Sequence, residues 1–137
     1  MKTTAFDPEG ELIIVASKIW GRDGYKDLSL AIDTGSASTM ITSEVIEDIG
    51  YNPRDGLDIT SVRSAIGTER GYTLKVARFA TLGFEFEDFV VHVFDLPVGF
   101  GIDGLIGLSF LKNFDYEIRS IVGRIRVRPA LADALPT

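Results

Sequence analysis

Side-chain chemistry concentrates in the segment Leu28-Ser29-Leu30-Ala31-Ile32-Asp33-Thr34-Gly35-Ser36-Ala37. An apolar extended run delivers one carboxylate, Asp33, into a turn of small hydroxylic residues. Gly35 lets backbone N–H groups approach that carboxylate, and Ser36 is placed to donate a hydroxyl to its outer oxygen. A carboxylate held this way can exchange a proton with water as a general acid or base. Taken alone, Asp33 to Ser36 reads first as an Asx-type turn, because Asp, Thr, Gly and Ser are common turn formers.

A second segment changes the weighting. Asp103-Gly104-Leu105-Ile106-Gly107-Leu108 sets two bulky apolar residues before a glycine, downstream of the apolar run Phe89 to Phe94. Other candidates carry less. Gly99 to Gly104 spells G-x-G-x-x-G, yet Leu105-Ile106-Gly107 is too short and glycine-flanked to be the helix that a dinucleotide site requires. No acid stands about 20 residues on before a second parallel strand, as that site would also need. His92, in an apolar strand pattern, reads as a satisfied or half-exposed strand histidine. Arg124, Arg126 and Arg128 alternate as the solvated face of an edge strand would, where positive charge discourages edge pairing.

Composition narrows the chemistry further. The chain has no cysteine and one histidine among 137 residues. Disulfides, thiolate metal sites and a cysteine nucleophile are therefore excluded, and a histidine-rich metal site or Ser-His-Asp triad is disfavoured. A net charge of −6 argues against nucleic acid as a partner, since phosphates must be met by a basic patch. The stretch Leu96 to Leu111 is broken by Asp103 and glycines, too short and interrupted for a membrane span. Met1 to Asp7 carries no apolar export-type run, so the expected location is cytoplasmic.

The elements that must position these residues follow from period. Ile13, Val15, Ser17 and Ile19 face one way, and Leu12, Ile14, Ala16 and Lys18 the other. With the turn Gly21 to Gly24 and the run Leu28 to Ile32 they predict a hairpin. A second hairpin is expected from Ile59–Ile66 and Tyr72–Phe79, joined by Gly67-Thr68-Glu69-Arg70-Gly71. A third strand set follows Leu82-Gly83, with Phe89 to Phe94 as a buried strand. A last hairpin joins Tyr116–Ile118 to Arg124–Arg128. Thr42 to Gly50 predicts a helix with a hydroxyl cap and Val45, Ile46 and Ile49 on one face. Ser109 to Asn113 predicts one or two further turns. The expectation is one mostly β domain over residues 1–128, with a frayed, proline-bounded tail at 129–137.

A strand ending in Asp33-Thr34-Gly35, a glycine-marked hairpin around Gly67, then Leu105-Ile106-Gly107 resembles one lobe of an aspartic protease. The likeness is to the small single-lobed, retropepsin-like members and runs from about Glu11 to Val127. It implies an all-β fold: a closed, barrel-like acid-protease lobe of short antiparallel strands with one or two short helices. It implies an aspartic endopeptidase that needs no metal or other cofactor. With one Asp-Thr-Gly per chain, the enzyme would be a homodimer acting on a peptide or protein substrate. Asp33 would be catalytic, with Thr34, Gly35 and Ser36 as its support and Thr34 reaching across the dimer axis. Ile66, Gly67 and Thr68 would lie near the tip of a flap over the substrate, and Leu105 would line a side-chain pocket. The strand Leu105-Ile106-Gly107 would thread behind Asp33.

The pattern departs from the viral one. The acid and arginine that pair in viral enzymes are here Ala37 and Leu108, both absent together. Ser36 follows Gly35, as in pepsin-like lobes, and Glu69 and Arg70 make the flap segment more charged. The rival reading is a non-catalytic peptide-binding or assembly module on the same fold, which would have no need of Asp33.

Overall fold

Alternating apolar residues on short extended runs build most of the structure. This computed structural model describes residues 1–64, 67–95 and 101–129, with backbone alone at 60–64 and 67–70. The strands are β1 (Lys2–Ala5), β2 (Ile14–Gly21), β3 (Gly24–Ile32), β4 (Met40–Thr42), β5 (Ile59–Ser64), β6 (Gly67–Thr81), β7 (Phe84–Phe94), β8 (Gly104–Ile106), β9 (Phe114–Arg119) and β10 (Arg124–Pro129). Two short helices, α1 (Ser43–Asp48) and α2 (Leu108–Leu111), follow β4 and β8.

The main sheet runs β2-β3-β8-β4-β7-β6-β5, and β2 pairs again with β6. That extra pairing closes six strands into a barrel, with β5 attached outside the ring. The β2–β3 hairpin forms as its sequence predicts, Gly21 opposite Gly24. Val15, Ser17 and Ile19 are buried, whereas Ile14 and Ala16 are exposed. Not every ring contact is antiparallel: β3–β8 and β4–β7 are parallel. Both involve three-residue strands inserted between longer ones, an arrangement that local period does not reveal.

The second hairpin differs in where it turns. Ser64 pairs with Gly67 and Thr60 with Gly71, so the expected connection Gly67 to Gly71 is strand. Gly71 is there for space, not for turning. A Cβ on it would sit 2.0 Å from the Val93 carbonyl oxygen of β7. Ile66 lies outside the described residues, and Gly67 and Thr68 begin β6.

Three other expectations change. The run Phe89 to Phe94 is half buried, not fully buried: Val91, Val93 and Phe94 are inside while Val90 is exposed. Thr42 precedes α1 in extended conformation, but its side chain makes no capping hydrogen bond. Finally, β10 is no edge strand. It lies between β1 and β9, with Lys2 opposite Val127 and Arg126 opposite Glu117. Its arginines occupy the solvent face while Ile125 and Val127 are fully buried. Arg124 Nη1 donates to the Val122 and Gly123 carbonyls, and Arg128 pairs with Asp115 at 3.6 Å. The expected tail at 129–137 begins with Pro129, still paired with Phe114; residues 130–137 lie outside the described residues.

One core cluster gathers the inward faces of both sheets and both helices. Phe110 of α2 is its aromatic hub, fully buried, with ring centroids 5.6 Å from Phe79, 5.4 Å from Phe86 and 5.1 Å from Phe114. Edge-on and tilted contacts of this kind add to what burial alone contributes. A four-residue helix has little stability of its own, so Phe110 is what fixes α2 and the loop before it. Phe110→Ala should therefore cost about 3–5 kcal/mol of unfolding free energy. Urea denaturation of the purified variant against wild type checks the value.

Candidate active site

Asp33 leaves the end of β3 where β8 passes alongside. Ile32 pairs with Ile106, and the Asp33 amide continues the ladder by donating to the Ile106 carbonyl at 2.9 Å. The carboxylate is only half buried, and its Oδ1 accepts the Gly35 amide at 2.9 Å. The Ser36 amide donates to the Asp33 carbonyl at 3.2 Å, closing a tight turn. Thr34 and Gly35 are exposed at its crest. The expected strand Leu105-Ile106-Gly107 does run behind Asp33.

Ser36 is fully buried, but its hydroxyl does not go to the carboxylate. It donates to the Ser38 carbonyl at 2.8 Å. The expected hydrogen bond to the outer oxygen of Asp33 is therefore not made; a nearer backbone acceptor takes the donor. Ser36 instead supports the turn from below, its own carbonyl accepting the Leu108 amide at 2.8 Å.

Residues that the sequence did not single out complete this support. The buried Thr39 amide donates to Ser109 Oγ at 2.9 Å, and Ser109 Oγ donates to Thr39 Oγ1 at 3.1 Å. Thr39 Oγ1 also accepts the Gly107 amide at 3.3 Å, and the Ser109 amide donates to the Ala37 carbonyl at 2.9 Å. Backbone and hydroxyl groups thus join the two loops at Ala37 and Leu108. The only signal in the sequence was small hydroxylic residues just after each motif. Asp103 has a comparable role one strand earlier, its Oδ2 accepting the Ser29 amide at 2.9 Å.

Steric room decides the second motif. A Cβ on Gly104 would lie 2.0 Å from the Met40 carbonyl oxygen, and one on Gly107 would lie 2.1 Å from that of Ser38. Leu105, between them, is half buried and packs on Met40 and Phe94, a small apolar cluster separate from the main core. Gly67 and Thr68 sit in the β5–β6 hairpin described above. Among the described residues, no cluster of His, Cys, Asp and Glu could hold a metal ion. No helix among them is long and apolar enough to cross a membrane.

A carboxylate at the crest of a loop, with a glycine-bounded strand threaded beneath, is matched by a family model. The model described as aspartyl protease matches residues 18–110, from β2 to the middle of α2. The chain belongs to the aspartyl protease family.

Solved structures agree on the fold of this aspartyl protease. A retropepsin-like aspartic protease from Rickettsia conorii is similar with a TM-score of 0.62 at 17% identity. The match covers 90% of this chain and 86% of that one. The EIAV protease, solved in complex with the inhibitor HBY-793, is similar with a TM-score of 0.54 at 16% identity, covering 76% and 88%. No curated protein sequence matches significantly. The fold is retropepsin-like: mostly β, barrel-closed, with two short helices.

Gly107→Ala should push the new methyl against two backbone carbonyls, those of Ser38 and Ser36. Neither can move without dragging the Asp33 turn. The expected loss is about 1–3 kcal/mol or more. It is checked by thermal unfolding together with faster amide exchange at residues 36–39.

Proposed function

We propose that this aspartyl protease is an endopeptidase that works as a homodimer, with Asp33 and the partner's Asp33 forming the catalytic pair. The observation that carries this reading is the single carboxylate at an exposed crest. One chain supplies one Asp33, on a turn whose Thr34 and Gly35 are open to contact. Half a site made this way is completed by a two-fold axis, the commonest closed symmetry.

Two carboxylates so close cannot both ionise, so the pair holds one proton. The ionised member takes a proton from a water, whose oxygen attacks the peptide carbonyl carbon. The protonated member gives its proton to the carbonyl oxygen, and a tetrahedral diol forms. Collapse of the diol breaks the C–N bond as the nitrogen takes the proton that the first carboxylate received from water. A diol hydroxyl gives its proton to the other carboxylate, releasing an amine and a carboxylic acid and restoring the singly protonated pair. Thr34 ties the two loops across the axis, Gly35 offers backbone to dyad and peptide, and Ser36 braces the turn. Leu105, on its Met40–Phe94 floor, lines a pocket for an apolar substrate side chain. Gly67 and Thr68, at the start of β6, belong to the flap that covers the bound peptide.

Asp33→Asn should lower peptide hydrolysis by at least about 10²–10⁴-fold, the usual contribution of a general acid–base group. The fold should be retained, since the half-exposed side chain supports little of the core. Mixing wild type with Asp33→Asn chains at constant total protein tests the shared site. After subunit exchange, activity should follow the square of the wild-type fraction. A linear dependence would show that each chain works alone, and a wild type that binds peptides without cleaving them would favour a binding module.

A further inference from the structure

His92 is the only histidine in the chain, and it touches the active-site loop at two points. Its amide donates to the Thr39 carbonyl at 2.9 Å, and its ring Nε2 lies 3.2 Å from Ser38 Oγ. Ser38 in turn receives the Ser36 hydroxyl on its carbonyl, and Ser36 donates its amide to Asp33. A short chain of contacts thus runs from the imidazole to the turn carrying the carboxylate. The other ring nitrogen, Nδ1, is buried and has no hydrogen-bond partner among the described residues.

We propose that His92 is a positioning residue for the Asp33 loop, holding it through Ser38 in its neutral form with the proton on Nε2. The inference deepens the reading above, since it takes Asp33 as catalytic. The tautomer follows from the orphaned Nδ1. A buried N–H without an acceptor costs more than an unused lone pair, so the proton belongs on Nε2, donating to Ser38 Oγ.

Among the described residues, the surroundings offer a second proton no partner. β4 sets Met40 against His92, and β6 sets Thr73 there, neither charged. Lys75 lies two residues along β6, opposite Val90, and would repel an imidazolium. Asp95 follows at the end of β7, where it accepts from Ser43, and Asp33 is the one acid of the loop. α1 carries Glu44, Glu47 and Asp48, but it joins Val45 and Ile46 to the core with Val91 and Val93, the other face of β7. On the far side of the loop, α2 ends at Lys112. Burial alone holds the ring below its ordinary value of 6.5. The sign follows: above about pH 6.5 both folded and unfolded chains hold it neutral. As pH falls below that, the unfolded chain takes the proton first, so stability and loop order decline together.

Imidazole NMR isolates this one residue. In the Asp33→Asn background, which removes the dyad's own titration, the ring should be the Nε2–H tautomer at neutral pH and protonate below pH 6.5. Amide signals of residues 34–39 should shift along the same curve, and should lose that component in the further variant His92→Gln, whose amide can still donate to Ser38. In the active enzyme, His92→Leu should lower kcat roughly three- to tenfold with little change in KM, one hydrogen bond's worth of positioning. His92→Gln should recover most of that kcat and move the acidic limb of the pH–rate profile to lower pH. An Nδ1–H tautomer, or loop amides that ignore the ring's titration, overturns the inference whether or not the protein is a peptidase. An acidic limb that His92→Gln leaves unmoved overturns it in the enzyme. Coupled amides in a wild type that cleaves no peptide overturn the proposed function instead.

Discussion

Residues 104–107 pass between β3 and β4 with no space for a side chain at either glycine, and the rest of the structure is arranged around that passage. Backbone carbonyls of Met40 and Ser38 occupy the positions where Cβ atoms would stand. Packing this tight lets β8 extend the β3 ladder through Ile106 to Asp33 while also pairing with β4. The carboxylate is therefore held by the barrel's own hydrogen bonding, and the exposed part of its loop is confined to a short crest.

Support for the crest is uncharged. Thr39 and Ser109 join the two loops through hydroxyl and amide hydrogen bonds, and Ser38 and His92 adjoin them. Buried ion pairs need near-ideal geometry to offset desolvation, whereas hydroxyls exchange donor and acceptor roles and tolerate small displacements. The aromatic cluster about Phe110 anchors one side of this support and the β7 strand anchors the other. Active-site geometry and core packing thus share residues: α2 presents Ser109 to the loop and Phe110 to the core in consecutive positions.

How much of this was legible in the sequence depended on whether the cause was local. The β2–β3 hairpin was, because alternation and a two-residue turn specify each other. The Asp33 turn was legible in its residue types, and the Leu105-Ile106-Gly107 strand behind it through the resemblance to an aspartic protease lobe. Gly67 to Gly71 read as a connection because both glycines look like turn residues, whereas they pair within the β5–β6 ladder. Gly71 is glycine for the approach of Val93, a contact more than twenty residues away in the chain that no local pattern encodes. Ser36 illustrates the same limit at shorter range: its residue type announces a donor, but only the folded loop decides that Ser38 receives it. The edge-strand reading of Arg124 to Arg128 failed because β1, only four residues long, was the strand that covered that edge.

That covering strand also orders the events of folding. Lys2 to Ala5 lie ahead of the whole barrel in the chain, yet their partners, Arg124 to Val127, follow it, more than a hundred residues on. While a ribosome extends the chain, β1 has nothing to pair with until the barrel sequence has emerged in full. Closing so long a loop is entropically slow, and contacts of this separation are formed late in folding. A strand made before the barrel is thus among the last to be stitched in. Until it is, β10 presents an open edge to any extended segment that reaches it first, whether from its own chain or from a neighbour.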